Sequence, residues 1–258
     1  MNLKLKVLFN FFADKKTTIL LLSVVFFFVS AAPPDVFAQK KFSRSYPASK
    51  NVSLKLTNRS GTVTVEGWER DEVRISASME APAANMTPQN LSGTIYINLV
   101  KDNQGRKEVG YVNFRINVPY NSSVNIETMM GNLNVSNVRG ALVRAHITSE
   151  GDITLTNISA GAVSAENVIG DIFFDGDIQS DGTYRFTSTR GSINIRIPFG
   201  SSFRLVATAP STRRISLGPF SNQGLNFGDG RRVFGKVGGG SATLTVTNQR
   251  GSISFISR

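Results

Sequence analysis

Asp152 and Asp171 each follow a glycine directly, precede an isoleucine, and lie 19 residues apart. If the chain coils with a period near that spacing, the two carboxylates take one outward position in consecutive turns. Their Cα atoms would then stand about 4.8 Å apart, with Glu150, Asp175 and Asp177 nearby. Paired carboxylates suit a hard cation such as Ca²⁺, or the acid and nucleophile of glycoside cleavage. The plainer alternative is a pair of solvated turn acids, since few basic or aromatic groups lie close enough in sequence to complete a catalytic site. The calcium-binding GGxGxD repeat is absent.

Three further features could carry chemistry. His146, the single histidine, is one period from Glu166; such a pair could respond to pH, although an exposed pair has little energetic weight. Trp68 follows Gly67 at a strand end. It could stack on a sugar, but it fits better as a cap on the open end of a core. Arg213, Arg214, Arg231 and Arg232 sit in a segment rich in Gly, Arg and Pro at 210–240, where they are candidates for binding an anionic polymer through charge.

Charge is distributed in blocks. Residues 39–144 carry 14 Lys+Arg against 8 Asp+Glu, 145–184 carry seven acids and no base, and 185–258 carry 11 Lys+Arg against Asp229 alone. A basic surface attracts anionic envelope polymers such as lipopolysaccharide, phospholipid or acidic glycan, and the acidic block could meet the basic end of a neighbouring molecule. With no cysteine there is no disulfide, thiolate metal site, cysteine nucleophile or cysteine-linked lipid. One histidine argues against His-built metal sites and a Ser/His/Asp triad. The expectation is a protein that is not an enzyme and carries no cofactor.

The N-terminus gives an address. Lys4, Lys6, Lys15 and Lys16 precede an uncharged run of 14 residues at 19–32, which Pro33 and Pro34 end. Val36-Phe37-Ala38 then supplies a cleavage site before Gln39. This is the plan of a secretory signal peptide over 1–38, and the run is short of the about 20 residues of a spanning helix. The expected location is exported: periplasmic, cell-surface or secreted, touching membrane only if the leader is not cleaved. Export removes nucleic acid as a partner.

The elements that must position these residues come from a repeat. Six segments share the pattern apolar-x-apolar-x-polar-x-x-Gly-x-apolar-x-apolar: 54–65, 124–135, 143–155 (with one extra residue), 163–174, 184–195 and 244–255. Their glycines are Gly61, Gly131, Gly151, Gly170, Gly191 and Gly251, with central steps of 20, 19 and 21 residues. Alternation sends successive side chains to opposite faces, and the glycine permits positive φ at a corner. The polar residue three before it (Asn58, Thr128, Asn167, Ser188 or Asn248) can bond turn backbone that no strand satisfies. Two short strands meeting at a corner make half a coil, and stacked coils close a core that none closes alone. Ile153, Ile172 and Ile193 should form one inward column.

Outside the repeats, 94–100 and 109–118 read as two strands around the turn Asp102-Asn103-Gln104-Gly105, 81–91 reads as a loop, and no segment has a helical period. The predicted fold is all-β, a single-stack β-solenoid of about 20 residues per coil. A strand-rich part spans 39–123, and the repeats span 124–258 with a loop-rich excursion at about 210–240.

The N-x-x-G-x-V-x-V series, Phe114-Arg115-Ile116-Asn117-Val118-Pro119 before the repeats, two G-D-I and two G-S-I steps together resemble the bacterial putative-adhesin family of extracytoplasmic β-solenoid domains. The resemblance covers 52–255. It implies an adhesin-like binding or scaffold module of the cell envelope and brings no catalytic residues. The partner would be an anionic envelope polymer, another envelope protein, or a second copy. The alternative from the residues is a polysaccharide-acting enzyme or cation-binding module built on Asp152 and Asp171.

Overall fold

The computed structural model describes residues 39–258; the signal peptide expected over 1–38 lies outside the described residues. The chain enters as β1 (Lys40–Pro47), β2 (Ser53–Ser60), β3 (Val63–Trp68), β4 (Glu72–Met79), β5 (Gln89–Leu91), β6 (Thr94–Asn98) and, after one helical turn at Leu99–Asp102, β7 (Val112–Pro119). The central repeats follow as β8 (Ser123–Met130), β9 (Leu133–Ser136), β10 (Leu142–Ile147), β11 (Ile153–Ile158), β12 (Ala162–Ile169), β13 (Ile172–Gly176), β14 (Thr183–Arg190) and β15 (Ile193–Ile197). The last part is β16 (Phe203–Thr208), β17 (Ile215–Ser216), β18 (Asn226–Gly228), β19 (Arg232–Val237), β20 (Ala242–Asn248) and β21 (Ile253–Ser257).

Each repeat folds as an L whose arms belong to different sheets. The first arms (β2, β8, β10, β12, β14, β20) lie in one sheet of order β18-β19-β16-β20-β14-β12-β10-β8-β2-β6-β5. The second arms lie in the other, of order β1-β4-β7-β3-β9-β11-β13-β15-β21-β17. Neighbouring coils pair in parallel, and β2 pairs directly with β8, so both sheets run unbroken across position 123.

Strict alternation fills the interior. Val63, Leu133, Ile153, Ile172, Ile193 and Ile253 stack strand over strand and are 0–1% exposed, so the inward isoleucine column is present as expected. Midway, Phe174 packs against Phe186 with ring centroids 5.0 Å apart. Tyr184 fills the same layer, its hydroxyl donating to Ala160 O at 2.9 Å and accepting from Gln179 N–H at 2.8 Å. Burial pushes that phenol's pKa upward.

The corner glycines form a ladder. A Cβ on Gly131 would strike the carbonyl of Gly61, one on Gly151 that of Gly131, and so on through Gly170, Gly191 and Gly251. Close approach, together with φ between +105° and +145° at Gly131, Gly151, Gly170 and Gly191, leaves glycine as the fitting residue. Beside them Asn58, Thr128, Asn167, Ser188 and Asn248 are 0–2% exposed. Asn248 Nδ2 donates to Gly191 O at 2.7 Å and Asn167 Nδ2 to Gly151 O at 3.0 Å, satisfying corner carbonyls as the sequence anticipates.

The ends differ from a simple stack. β6 and β7 do not form a hairpin: β6 pairs with β2 in one sheet and β7 with β3 in the other, making a coil laid outside β2/β3. The excursion at 210–240 is built of β17, β18 and β19 with two 3₁₀ turns, Thr212–Arg214 and Gly218–Phe220. β20 then returns to pair with both β14 and β16. Antiparallel strands, which need no crossover, finish three of the four sheet edges: β4 and β1 beyond β7, β19 and β18 beyond β16, β5 beyond β6; the short β17, parallel to β21, finishes the fourth. The terminal strands are two or three residues long or, in β1, carry Lys40, Lys41 and Arg44. Both devices discourage edge-to-edge pairing.

Candidate functional site

Asp152 and Asp171 do share one outward position, and both are exposed. Their geometry gives them a structural task. Asn132 Oδ1 accepts from Asp152 N–H at 3.0 Å, Asp152 Oδ1 from Asp171 N–H at 2.8 Å, and Asp171 Oδ1 from Ser192 N–H at 2.7 Å. Each side chain thus caps the backbone of the next coil where the corner leaves an N–H outside the strand ladder. Among the described residues no three His, Cys, Asp or Glu side chains are grouped as a metal site. Asp152→Ala is expected to cost about 1 kcal/mol through the lost acceptor, whereas Asp152→Asn, which keeps an oxygen in place as Asn132 does, retains stability. Urea melts of the two variants check this.

Asp175 and Asp177 do not join that pair; they sit at the far end of β13. Asp175 is 3% exposed because two arginines cover it: Arg196 Nη2 at 2.7 Å and Arg258 Nε at 3.3 Å. Arg258 Nη1 also reaches Asp177 at 2.8 Å. The hydrogen bond that Arg196 donates to Asp175 raises the guanidinium's pKa further, and the guanidinium lies 5.5 Å from the Phe173 ring centroid. The acidic block therefore meets the basic C-terminal block within one molecule.

His146 stands in register with Glu166 on one side and Glu127 on the other. Its Nδ1 approaches Glu127, at 3.8 Å, a neighbour the sequence reading did not name. Trp68 does not cap the core. β3 lies inside its sheet, between β7 and β9, because the β6/β7 coil is laid outside it. The indole N–H donates to Glu72 O at 2.9 Å, and Arg70 and Arg74 lie 5.1 and 5.2 Å from the ring centroid. At the other end of the stack Phe220 performs the capping task, 1% exposed and set edge-on to Phe203 and Phe255.

The four arginines of the excursion come together. Thr212 N–H donates to Gly230 O at 2.7 Å and Ala209 N–H to Arg231 O at 3.0 Å. These bonds hold the turn carrying Arg213 and Arg214 against the turn that leads into Arg231 and Arg232. All four are exposed, and none is in an ion pair among the described residues. Phe227, 63% exposed, and Phe234, 40% exposed, lie on the adjoining β18 and β19. A second cationic feature, absent from the sequence-derived candidates, lies on the outer face of the β14-containing sheet: Lys55, Arg144 and Arg185 hold one equivalent position. Its signal was present in the second position of the repeats, in Leu54-Lys55-Leu56, Val143-Arg144-Ala145 and Tyr184-Arg185-Phe186.

Among the described residues no helix is long and apolar enough to cross a membrane. No curated protein matches the chain. Among solved structures it is similar to a "putative cell adhesion protein" from Clostridium sporogenes, at 13% identity, TM-score 0.48, covering 85% of this chain and 100% of the other. It is also similar to a "putative adhesin" from Bacteroides fragilis, at 10% identity, TM-score 0.40, covering 85% and 99%. A "putative lipid binding protein" from Parabacteroides distasonis is similar at 11% identity, TM-score 0.34, covering 84% and 97%. The family model described as Toastrack DUF4097 matches residues 23–254, nearly the whole of both sheets, and the chain belongs to that family.

Proposed function

We propose that this protein is an exported, adhesin-like module of the cell envelope that binds rather than catalyses, and that its partner is an anionic envelope polymer. The observation that carries the reading is the convergence of Arg213 and Arg214 with Arg231 and Arg232 on one exposed edge, across the Thr212 N–H to Gly230 O bond. Four guanidiniums on two joined turns, none in an ion pair among the described residues, make a concentrated positive field beside exposed Phe227 and Phe234. Such a site attracts polyanions by Coulomb energy, with Arg presenting planar donors to carboxylate or phosphate. The two acids nearest to meeting the cation or glycosidase alternative, Asp152 and Asp171, each spend an oxygen on backbone capping, which favours binding over catalysis.

The test is sedimentation of the protein with anionic vesicles, lipopolysaccharide or acidic glycan at two salt concentrations. Binding should fall steeply with NaCl, because exposed charges beyond about 8 Å are screened at physiological ionic strength. Replacing the four arginines by glutamine should weaken binding while changing stability by no more than about 0.5 kcal/mol. Binding indifferent to salt and to the four substitutions would overturn the reading in favour of a partner recognised by shape.

A further inference from the structure

The outer face of the β14-containing sheet carries a single file of side chains, one per strand. Along β2, β8, β10, β12, β14 and β20 the file is Lys55, Asn125, Arg144, Ser164, Arg185 and Thr245. The cations occur on every second strand, which sets them about 9–10 Å apart along the stack. The neutral positions between them offer a hydroxyl or an amide. Two strands beyond Arg185, on β16, Arg204 continues the series one outward position to the side, in register with Thr243. Lys55, Arg144, Arg185 and Arg204 are exposed, and none is in an ion pair among the described residues.

We infer that this file is a track for a linear acidic polysaccharide carrying one anionic group on every second sugar. The inference deepens the reading of the protein as a polyanion binder and rests on it. A sugar in an extended β-linked chain advances by close to one strand spacing. Alternate sugars therefore meet alternate strands, an anion facing each cation and a neutral sugar facing Asn125, Ser164 or Thr245. Charges at this separation lie about one Debye length apart at 0.1 M salt, so the cations repel one another weakly while each pairs with its own anion. The adjacent file argues against a flat anionic membrane as the occupant. It holds Glu127 and Glu166 on either side of His146, and a bilayer laid on the face would press on both carboxylates. A chain one sugar wide lies along the cations without covering the acids.

The experiment measures binding of the full chain to three oligosaccharide series by titration calorimetry at low salt. The probes are hyaluronan fragments with a carboxylate on every second sugar, oligogalacturonates with one on each sugar, and neutral cello-oligosaccharides. Vesicles containing phosphatidylglycerol form a fourth arm. Hyaluronan fragments should bind best, with affinity rising with length and levelling once a fragment spans Lys55 to Arg204. The double variant Arg144→Gln/Arg185→Gln should bind them about ten-fold or more weakly, through loss of two charge-assisted contacts, with an unchanged thermal melt. Asn125→Lys/Ser164→Lys, which fills the neutral positions, should shift preference towards oligogalacturonate. Equal affinity for the two acidic series, no effect of the double variant, or binding of vesicles alone would overturn the track. If acidic glycans bind but only the four excursion arginines matter, the track fails while the broader reading stands; if no polyanion binds at low salt, both fail.

Discussion

Ile172→Asp is expected to abolish folding of the central coils. Ile172 is 0% exposed and lies directly between Ile153 and Ile193, with apolar neighbours on the facing arm. A carboxylate there loses its hydration and gains no partner, a penalty of several kcal/mol even after protonation or local relaxation. That rivals the whole stability of a typical domain, about 5–15 kcal/mol. Ile172→Ala, which leaves a cavity without a charge, should cost about 2–5 kcal/mol. Thr154→Asp, outward on the neighbouring strand β11, should change stability by less than about 1 kcal/mol. Denaturant melts followed by far-UV circular dichroism compare the three. A native-like midpoint for Ile172→Asp would mean that the inward and outward faces are interchanged.

The second large effect falls on the glycine ladder. At Gly170, with φ +130°, a methyl group would collide with the carbonyl of Gly151 and come within 2.9 Å of Asp152 Oδ1. Relief requires the two coils to separate at the corner, which loosens the bond from Gly151 N–H to Ile169 O as well as the stacking itself. Gly170→Ala is expected to cost about 3–5 kcal/mol, from backbone strain and lost corner contacts together. Gly105, also at positive φ (+82°), has open space where its Cβ would be. Gly105→Ala should therefore cost only about 1–2 kcal/mol, the conformational penalty alone. The difference between the two thermal melts separates close approach from dihedral preference; equal losses would remove the ladder as a determinant of stability.

The repeat was legible because each coil sees the same surroundings as the last. Alternation in Ile153-Thr154-Leu155 or Ile172-Phe173-Phe174 assigns faces without reference to any distant residue, and the buried Asn167 or Asn248 works on backbone within its own corner and the coil stacked beside it. The site was less legible. The 19-residue spacing aligns Asp152 with Asp171, yet whether their oxygens face solvent or cap an N–H depends on the distance between coils. Asp175 shows the same limit: its place on β13 is outward, and it is buried because Arg196 and Arg258, from other coils, fold over it. Trp68 sits on a strand that comes early in the chain and would end the stack if coils followed chain order, but β7 lies outside it, so it caps nothing.

The amino-acid pattern alone settled the coil: its length, its glycine corner, its inward column and its uncapped need for neighbours. Tertiary structure settled which coil meets which. A repeated arm presents the same apolar stripe and the same backbone ladder to any partner, so the pattern does not say that β6/β7 must lie outside β2/β3 or that β20 must enter between β14 and β16. Those choices depend on the antiparallel strands that can close each end and on the loops that can reach them. The convergence of Arg213 and Arg214 with Arg231 and Arg232 follows from the same long-range closure, whereas the file through Lys55, Arg144 and Arg185 follows from the repeat once the coils are in register.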